Sequence, residues 1–438
     1  WLKKLANLLQ PSMNGEVKHN FIYSTLEGMV TNMAFSLVNP FLGVYAIALG
    51  ASSLMVGLLT AIPALVNTLV FLPAAGFVEK RKSRLPIVLF WAGLHRSLYM
   101  ILAFLPLIPW GRPAFLVATI TLMSVPGAIS GVAWTAMVGD MFPAEDRGEV
   151  FGMRNMFLGV TGILGTLLAG RLLDGVSFPK NFTLLFLISA GLGGIGIVFM
   201  SKMHEPPLVE RVHFEESKRL MPRVKELIDD EELGSQFKIF CASSFFLWSG
   251  FGFVAAMWSI YHVEVLRLSH TVIAGFSVLS GITAVVGSRY FGKVASRRGN
   301  VIVLFVCMIV VGVFPIIYTL SPSVMFLNVM QLVSGFVMGG LNLAVFNLVF
   351  AYSRPEKSPS ATAVFNMLIN LASFISPFLG DMCYKRVGIY VTFYVGAGLR
   401  LSALIVLAKL VGTSVLAEKR GMGYSGFSRV VSHREGRS

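Results

Sequence analysis

The stretch VIVLFVCMIVVGVFPIIYTL, residues 301–320, contains no charged side chain. At 1.5 Å per residue, a helix of this length crosses a hydrocarbon core of about 30 Å. Comparable apolar runs recur on both sides of it and predict twelve membrane-spanning helices, which makes the chain an all-α membrane protein. The predicted spans are 21–48, 53–76, 86–108, 113–138, 150–170, 182–202, 237–262, 270–291, 301–320, 324–351, 361–383 and 389–413.

Composition agrees with this reading, because 55% of the residues are hydrophobic and only 13% are charged. The net charge is +14, and most of the lysines and arginines fall in segments on the same side of the membrane as the N-terminus. Basic loops stay in the cytoplasm. We therefore expect a multi-pass protein of the cell inner membrane with both termini cytoplasmic. No segment offers the basic soluble face that nucleic-acid binding requires.

The two halves of the sequence resemble each other faintly. Leu49 and Ser52 before the second span return, at an offset of 217, as Leu266 and Ser269 before the eighth. Such repeats predict two pseudo-symmetric six-helix bundles. The predicted units are an N-terminal cytoplasmic segment (1–20), an N-terminal bundle (21–202), a cytoplasmic linker (203–236), a C-terminal bundle (237–415) and a basic tail (416–438).

Three loops carry clustered acids and bases. Residues 75–84 read AGFVEKRKSR after span two, residues 292–300 read GKVASRRGN after span eight, and residues 140–148 read DMFPAEDRG after span four. These loops resemble signatures of the major facilitator superfamily, with Ala75 and Lys82 replacing glycines and Ser296 replacing an acid. The resemblance implies a transporter fold with a conformational latch formed by Glu79, Lys80, Arg84, Asp140, Arg147, Gly292 and Arg297.

Charges inside spans are costly and mark function or structural pairing. Arg96 and Arg400 fall near mid-membrane, where we expect carbonyl or hydroxyl partners, so that loss of either arginine lowers the folded yield. The alternative is that one of them, or Arg289, meets an anionic group of a substrate, because no pair of deep acids exists to neutralise them. Glu27 is the one deep acid in the first half and is a candidate for proton coupling; contact with headgroups or Lys18 is its structural alternative.

The resemblance implies that helices one, four, seven and ten line the cavity, and polar and aromatic residues on them are candidates for substrate binding. They are Asn32, Asn39, Trp134, Trp258, Gln331 and Asn342, and Arg289 of span eight joins them as a candidate partner of an anionic group. Asn32 and Asn39 share one face of span one, whereas Glu27 is about 140° away around the helix and is expected to face elsewhere. The sequence GLGGIG at 191–196 fits a nucleotide-binding pattern but lies inside a span, so we interpret it as close helix packing.

These patterns predict a monomeric secondary transporter that moves a small organic solute by alternating access, coupled to protons. Within transport, the family resemblance favours efflux of amphipathic or drug-like compounds, although span five lacks the Gly-Pro run that is common in drug antiporters of the family. The alternatives are transport of an anionic solute or lipid headgroup, and a non-transporting sensor or scaffold. Scattered histidines and cysteines predict no metal, no cofactor and no enzyme site.

Overall fold

The computed structural model describes residues 15–79, 81, 83–142, 147–205, 231–352 and 358–419, and within these ranges it is helical with no strand. The helices are α1 (Gly15–Ala48), α2 (Ser53–Glu79), α3 (Leu85–Leu107), α4 (Arg112–Met141), α5 (Arg147–Gly175), α6 (Lys180–Met200), α7 (231–265), α8 (His270–Arg298), α9 (Asn300–Tyr318), α10 (Val324–Ala351), α11 (358–387) and α12 (389–419). All twelve predicted spans fall on these helices.

Several helices depart from regular α geometry, among them α3, which ends in a 3₁₀ turn at Leu105–Leu107. A 3₁₀ turn at Asn39–Phe41 interrupts α1, and α7 ends in a π turn at Tyr261–Val265. The last two helices form one element, Ser358–Lys419, broken only at Gly388, whose φ of 82° suits a glycine. Eleven described helices are long and apolar enough to cross a membrane, and the last contains two passes that meet at Gly388. The prediction of twelve spans is therefore confirmed.

The helices alternate in direction between two ends of the molecule. We call the outer end the one formed by the connections 49–52, 108–111, 176–179, 266–269 and 319–323 and by Gly388. The inner end is the opposite one, and it includes the connections after α2, α4, α8 and α10. The charge distribution predicts that the inner end faces the cytoplasm.

A single apolar core joins the two halves of the chain at the outer end. It contains Tyr45 and Leu173 from the first half together with Met257, Ala274 and Phe393 from the second. The helix pairs α2/α11 and α5/α8 cross between the halves. At Gly170 a Cβ atom would lie 2.9 Å from the Cα of Thr271, so this glycine lets α5 and α8 approach closely.

Polar contacts accompany this outer core. Asp174, at the end of α5, accepts hydrogen bonds from the backbone N–H groups of His270 and Thr271, both at 2.8 Å, and so caps α8. The ring of His270 lies 2.8 Å from the same carboxylate. Ser53 of α2 donates to Asp381 of α11, which also accepts from Lys385 at 2.7 Å. Two carboxylates thus fasten the halves at the outer end.

The inner ends of the two halves have separate cores. One cluster lies within the first half and includes Phe21, Val88 and Met137. Another lies within the second half and includes Phe240 and Leu341. Among the described residues, no buried apolar cluster joins the halves at this end. The described residues of the two halves therefore share a core at the outer end and have separate cores at the inner end.

Candidate functional site

The carboxylate of Glu27 lies at the centre of a buried charge cluster in the first half, with only 3% of the residue exposed. Its Oε1 accepts a hydrogen bond from Nη2 of Arg96 at 2.7 Å and from Oγ1 of Thr31 at 2.9 Å. Nη2 of Arg154 lies 3.6 Å from Oε2. One carboxylate thus meets two guanidinium groups, which leaves the cluster with one excess positive charge.

Arg96 is held between α1 and α6. Its Nη1 donates to the carbonyl of Gly193 at 3.2 Å. A Cβ atom at Gly193 would lie 3.1 Å from the Cβ of Arg96, and one at Gly196 would lie 2.9 Å from its Nη1, so both glycines leave room for this side chain. The predicted close packing therefore holds for Gly193 and Gly196, whereas a Cβ atom at Gly191 or Gly194 would meet nothing within 4 Å. The expectation that the span arginines lack an acid partner is wrong for Arg96, because α1 and α3 bring Glu27 against it.

Arg154 is a member of the cluster that sequence reasoning missed. It lies about two turns into α5, close to the inner end, where a basic residue is ordinarily read as an orientation signal. In the structure it is 8% exposed, its Nε donates to the carbonyl of Ser24 at 3.2 Å, and its guanidinium lies 4.8 Å from the ring centroid of Trp134. Its position within the predicted fifth span was the available signal.

Two adjoining cavities open beside this cluster. The first, of about 490 Å³, is lined by residues that include Glu27, Asn32, Arg96, Trp134 and Arg154. The second, of about 850 Å³, includes Asn39 and Asn67. His95, Gly127, Gly131 and Thr135 border both. Glu27 and Asn32 therefore face one cavity despite their angular separation around α1, because the cavity spans more than one side of that helix.

The second half holds a cavity of about 290 Å³ between α7, α9, α10 and α12. The predicted residues Trp258 and Gln331 line it, together with Arg400. Gln331 donates to the hydroxyl of Tyr318 at 3.3 Å, and the ring of Trp258 packs edge-on against the same tyrosine. Helices α1, α3, α4, α5 and α6 line the first cavity of the first half. The pseudo-symmetry relates α1, α3, α4 and α6 to α7, α9, α10 and α12, so the two cavities occupy equivalent places, and the first one also reaches α5.

The structure places only some of the predicted substrate-binding residues at the cavities. Asn32, Asn39, Trp134, Trp258 and Gln331 line the cavities described above. Arg289 and Asn342 are exposed and border none of these three cavities. Asn32 also donates to the carbonyl of Leu158 at 2.6 Å, so its amide joins α1 to α5. A binding role for each of these residues stays a prediction.

The predicted latch falls largely outside the described part of the molecule. Lys80 lies outside the described residues, and the side chains of Glu79, Asp140 and Arg147 are not described. Gly292 and Arg297 lie at the inner end of α8, where Arg297 is exposed. Arg84 precedes α3, and its backbone N–H donates to Glu205 at 2.8 Å, which caps that helix within the first half.

Within the described residues, no group of three or more histidine, cysteine, aspartate or glutamate side chains could hold a metal ion. What the structure does present is a twelve-helix membrane bundle with polar cavities in both halves and a core shared at one end alone. This combination is typical of the class of membrane transporters built from two rocking bundles.

The family comparison identifies this class further. The model of the Major Facilitator Superfamily matches residues 26–377 and 239–423, and the chain therefore belongs to this superfamily. An uncharacterized MFS-type transporter of Methanocaldococcus jannaschii is 23% identical over 390 residues, covering 84% of this chain and 93% of that protein. Multidrug resistance protein 3 of Bacillus subtilis is 29% identical over 85 residues, which are 19% of this chain and 16% of that protein.

Solved structures share the fold at low sequence identity. The nucleoside transporter NupG superposes with a TM-score of 0.68 at 15% identity, covering 89% of this chain and 99% of that one. A POT family transporter in complex with 5-aminolevulinic acid gives 0.67 at 12% identity, covering 90% and 95%. An inward-facing bacterial homolog of the lysosomal transporter Spinster gives 0.63 at 14%, covering 91% and 96%. These similarities establish the fold.

Proposed function

We propose that the chain is a secondary active transporter that moves a small organic solute across the cell inner membrane by alternating access, without changing it chemically. The main observation in support is that the halves share one buried core at the outer end and that their described residues form separate cores at the inner end. A molecule closed at one end and divided at the other is one of the two states that alternating access requires. In this proposal the protein works as a monomer with cytoplasmic termini.

Proton coupling is proposed to act through Glu27. A proton and the guanidinium of Arg96 compete for the same oxygen, Oε1, since Arg96 donates to it at 2.7 Å. Protonation of Glu27 would release Arg96 and Arg154 and leave both charges to be met by other groups in the adjoining cavity. Protonation is thereby linked to the charge of the cavity, which is the property that a coupling site needs.

The direction of transport is proposed to be outward. The local similarity to Multidrug resistance protein 3 supports export, although it covers 19% of this chain. The excess positive charge of the Glu27 cluster argues against a cationic solute and favours the alternative, an anionic one. We therefore propose export of an amphipathic compound whose polar group is neutral or negatively charged.

A reversible lock at the outer end tests alternating access. In a variant with Cys241, Cys307 and Cys383 replaced by alanine, we would introduce Gly43→Cys and Ser259→Cys. At these positions α1 and α7 are in contact, since a Cβ atom added at Gly43 would lie 3.0 Å from the Cβ of Ser259. A disulfide needs Cβ atoms about 3.8 Å apart, which a small helix shift supplies.

The assay uses proteoliposomes loaded with a mixture of small organic solutes under an imposed proton gradient, with mass spectrometry to identify those that move. Oxidation of the double-cysteine protein should abolish movement, and reduction should restore it. Each single-cysteine variant, treated identically, should keep its activity. Full activity of the oxidised protein, or no moved solute in any arm, would refute the transporter proposal and favour a sensor or scaffold.

A further inference from the structure

Arg400 is a buried cation whose hydrogen-bonding capacity is mostly unused. It lies in α12 and is 2% exposed. Its Nη1 donates to the carbonyl of Val311 at 3.2 Å, and its guanidinium carbon lies 4.2 Å from the ring centroid of Phe251. Its Nε and Nη2 atoms are buried and have no hydrogen-bond partner among the described residues. A guanidinium offers five donors in a fixed fork, and the described part of the chain supplies one acceptor.

The comparison with Arg96 shows how unusual this is within the same molecule. Arg96 is also buried, but it has the carboxylate of Glu27 and the carbonyl of Gly193 as acceptors. The described residues that line the cavity of Arg400 include no aspartate and no glutamate. A buried charge without a counter-ion is costly, and proteins ordinarily pair it. The described residues therefore supply no counter-ion to Arg400.

The packing around Arg400 keeps this cation in place. A Cβ atom at Gly250 would lie 3.0 Å from the backbone nitrogen of Arg400 and 2.9 Å from the carbonyl of Gly396, so α7 and α12 approach closely there because position 250 is a glycine. Phe251 covers the guanidinium and also lines the cavity.

We propose that the cavity of the second half binds the oxyanion of a small amphipathic solute, such as a carboxylate, through the guanidinium of Arg400. The walls fit the remainder of such a solute. Trp258 and Phe314 supply aromatic surface, and Gln331 and Ser334 supply hydrogen-bonding groups. The volume of about 290 Å³ holds a single aromatic ring with its substituent and is too small for a phospholipid.

This inference rests on the proposed transport function and names the class of its solute. The planar fork of arginine matches a carboxylate or phosphate through two parallel hydrogen bonds. In the first half, the corresponding cavity already contains a carboxylate of the protein itself. The anion of the solute would therefore act as the counter-ion of Arg400 in the second half, as Glu27 does for Arg96 in the first.

Binding of three probes of one shape tests the assignment. Benzoate, benzamide and benzylammonium are added to the purified full-length protein in phosphatidylcholine nanodiscs, and affinity is measured by tryptophan fluorescence and by the shift in melting temperature. Benzoate should bind, and benzamide and benzylammonium should bind at least about tenfold more weakly, since charged hydrogen bonds are lost. Equal binding of benzamide, or no binding of benzoate, would overturn the proposal.

Variants locate the site. Arg400→Gln should weaken benzoate binding by about tenfold or more, and Arg400→Lys should weaken it less, because charge remains without the fork. The matched control is Arg386→Gln on an exposed arginine of α11, which should leave benzoate affinity unchanged. A loss of affinity in Arg386→Gln and none in Arg400→Gln would refute the assignment.

A measurement on the unmodified protein covers the case in which Arg400→Gln does not fold. After illumination, 4-azidobenzoate should label peptides of α7, α9, α10 or α12 that line the cavity, and excess benzoate should prevent labelling. Labelling elsewhere, or equal labelling by 4-azidobenzamide, would contradict the site. Repeating the benzoate titration in phosphatidylglycerol nanodiscs distinguishes a lipid headgroup: unchanged affinity supports a solute site, and competition by the lipid would refute it.

The outcomes of this experiment and of the outer lock are separable. If benzoate does not bind but the lock still blocks solute movement, the transporter proposal stands and the anion site fails. If benzoate binds at Arg400 but the lock has no effect, the site stands and alternating access fails.

Discussion

Equivalent cavities of the two halves hold arginines in opposite electrostatic situations. In the first half, Arg96 pairs with Glu27 at 2.7 Å. In the second half, Arg400 has one carbonyl and one aromatic ring as partners, and two of its nitrogens have no hydrogen-bond partner among the described residues. In the first half a carboxylate of the protein itself meets the guanidinium, whereas in the second half the described lining of the cavity supplies none. A pseudo-symmetric fold thus places a protein carboxylate in one half and, we propose, the recognition of an anion in the other.

The largest expected effect comes from removing the acid of the first half. Glu27→Gln leaves Arg96 and Arg154 buried without a counter-ion, and breaking a buried ion pair costs about 3–5 kcal/mol. We expect a large fall in melting temperature in detergent, and size-exclusion chromatography measures the folded fraction that remains. The control, Glu264→Gln, changes an exposed acid and should leave both unchanged. Wild-type stability of Glu27→Gln would show that the cluster is not balanced by this carboxylate.

The two arginines should respond differently to the same substitution. Arg96→Met removes a hydrogen-bonded partner of Glu27 and should cost about 1–3 kcal/mol. Arg400→Met replaces an unpaired buried cation by an apolar side chain, and such replacements are often neutral or stabilising. Parallel thermal unfolding of the two variants measures the difference. Equal destabilisation would mean that Arg400 is a structural partner, as its sequence position alone suggested.

These contrasts also show what the sequence could and could not predict. The twelve helices follow from apolar runs as long as the bilayer is thick, a property that is local in the chain. The pairing of Glu27 with Arg96 joins residues 69 positions apart and depends on how α1 and α3 are rotated against each other. Spacing along one helix could not predict it.

Sequence reasoning also treated α1 as having one functional face. The separation of about 140° between Glu27 and Asn32 placed them on different sides of the helix, yet both line the first cavity. A helix that borders a wide cavity exposes more than one face to it. The width of a cavity is a tertiary property, and for that reason the set of lining residues emerged only from the structure.

The smallest effects are expected for the asparagines. Asn32→Ala removes the hydrogen bond to the carbonyl of Leu158 and should destabilise the protein by about 1 kcal/mol. Asn342→Ala changes an exposed side chain that borders none of the described cavities and should stay within about 0.5 kcal/mol of the wild type. Solute binding should be affected by Asn32→Ala alone. A selective loss of binding in Asn342→Ala would redirect the search for the site.

The most direct test of the whole account is a pair of distances between spin labels in the cysteine-free protein. One pair of labels, at Trp110 and Leu320, spans the two halves at the outer end, and both positions are highly exposed. The other pair, at Arg81 and Arg298, spans them at the inner end. We would measure both distances in the protein that keeps Asp174 and Asp381 and in the double variant Asp174→Ala and Asp381→Asn. The double variant lacks the polar contacts that join the halves at the outer end. We predict that the outer distance lengthens while the inner one shortens; distances that stay fixed, or that change in the same direction, would contradict alternating access.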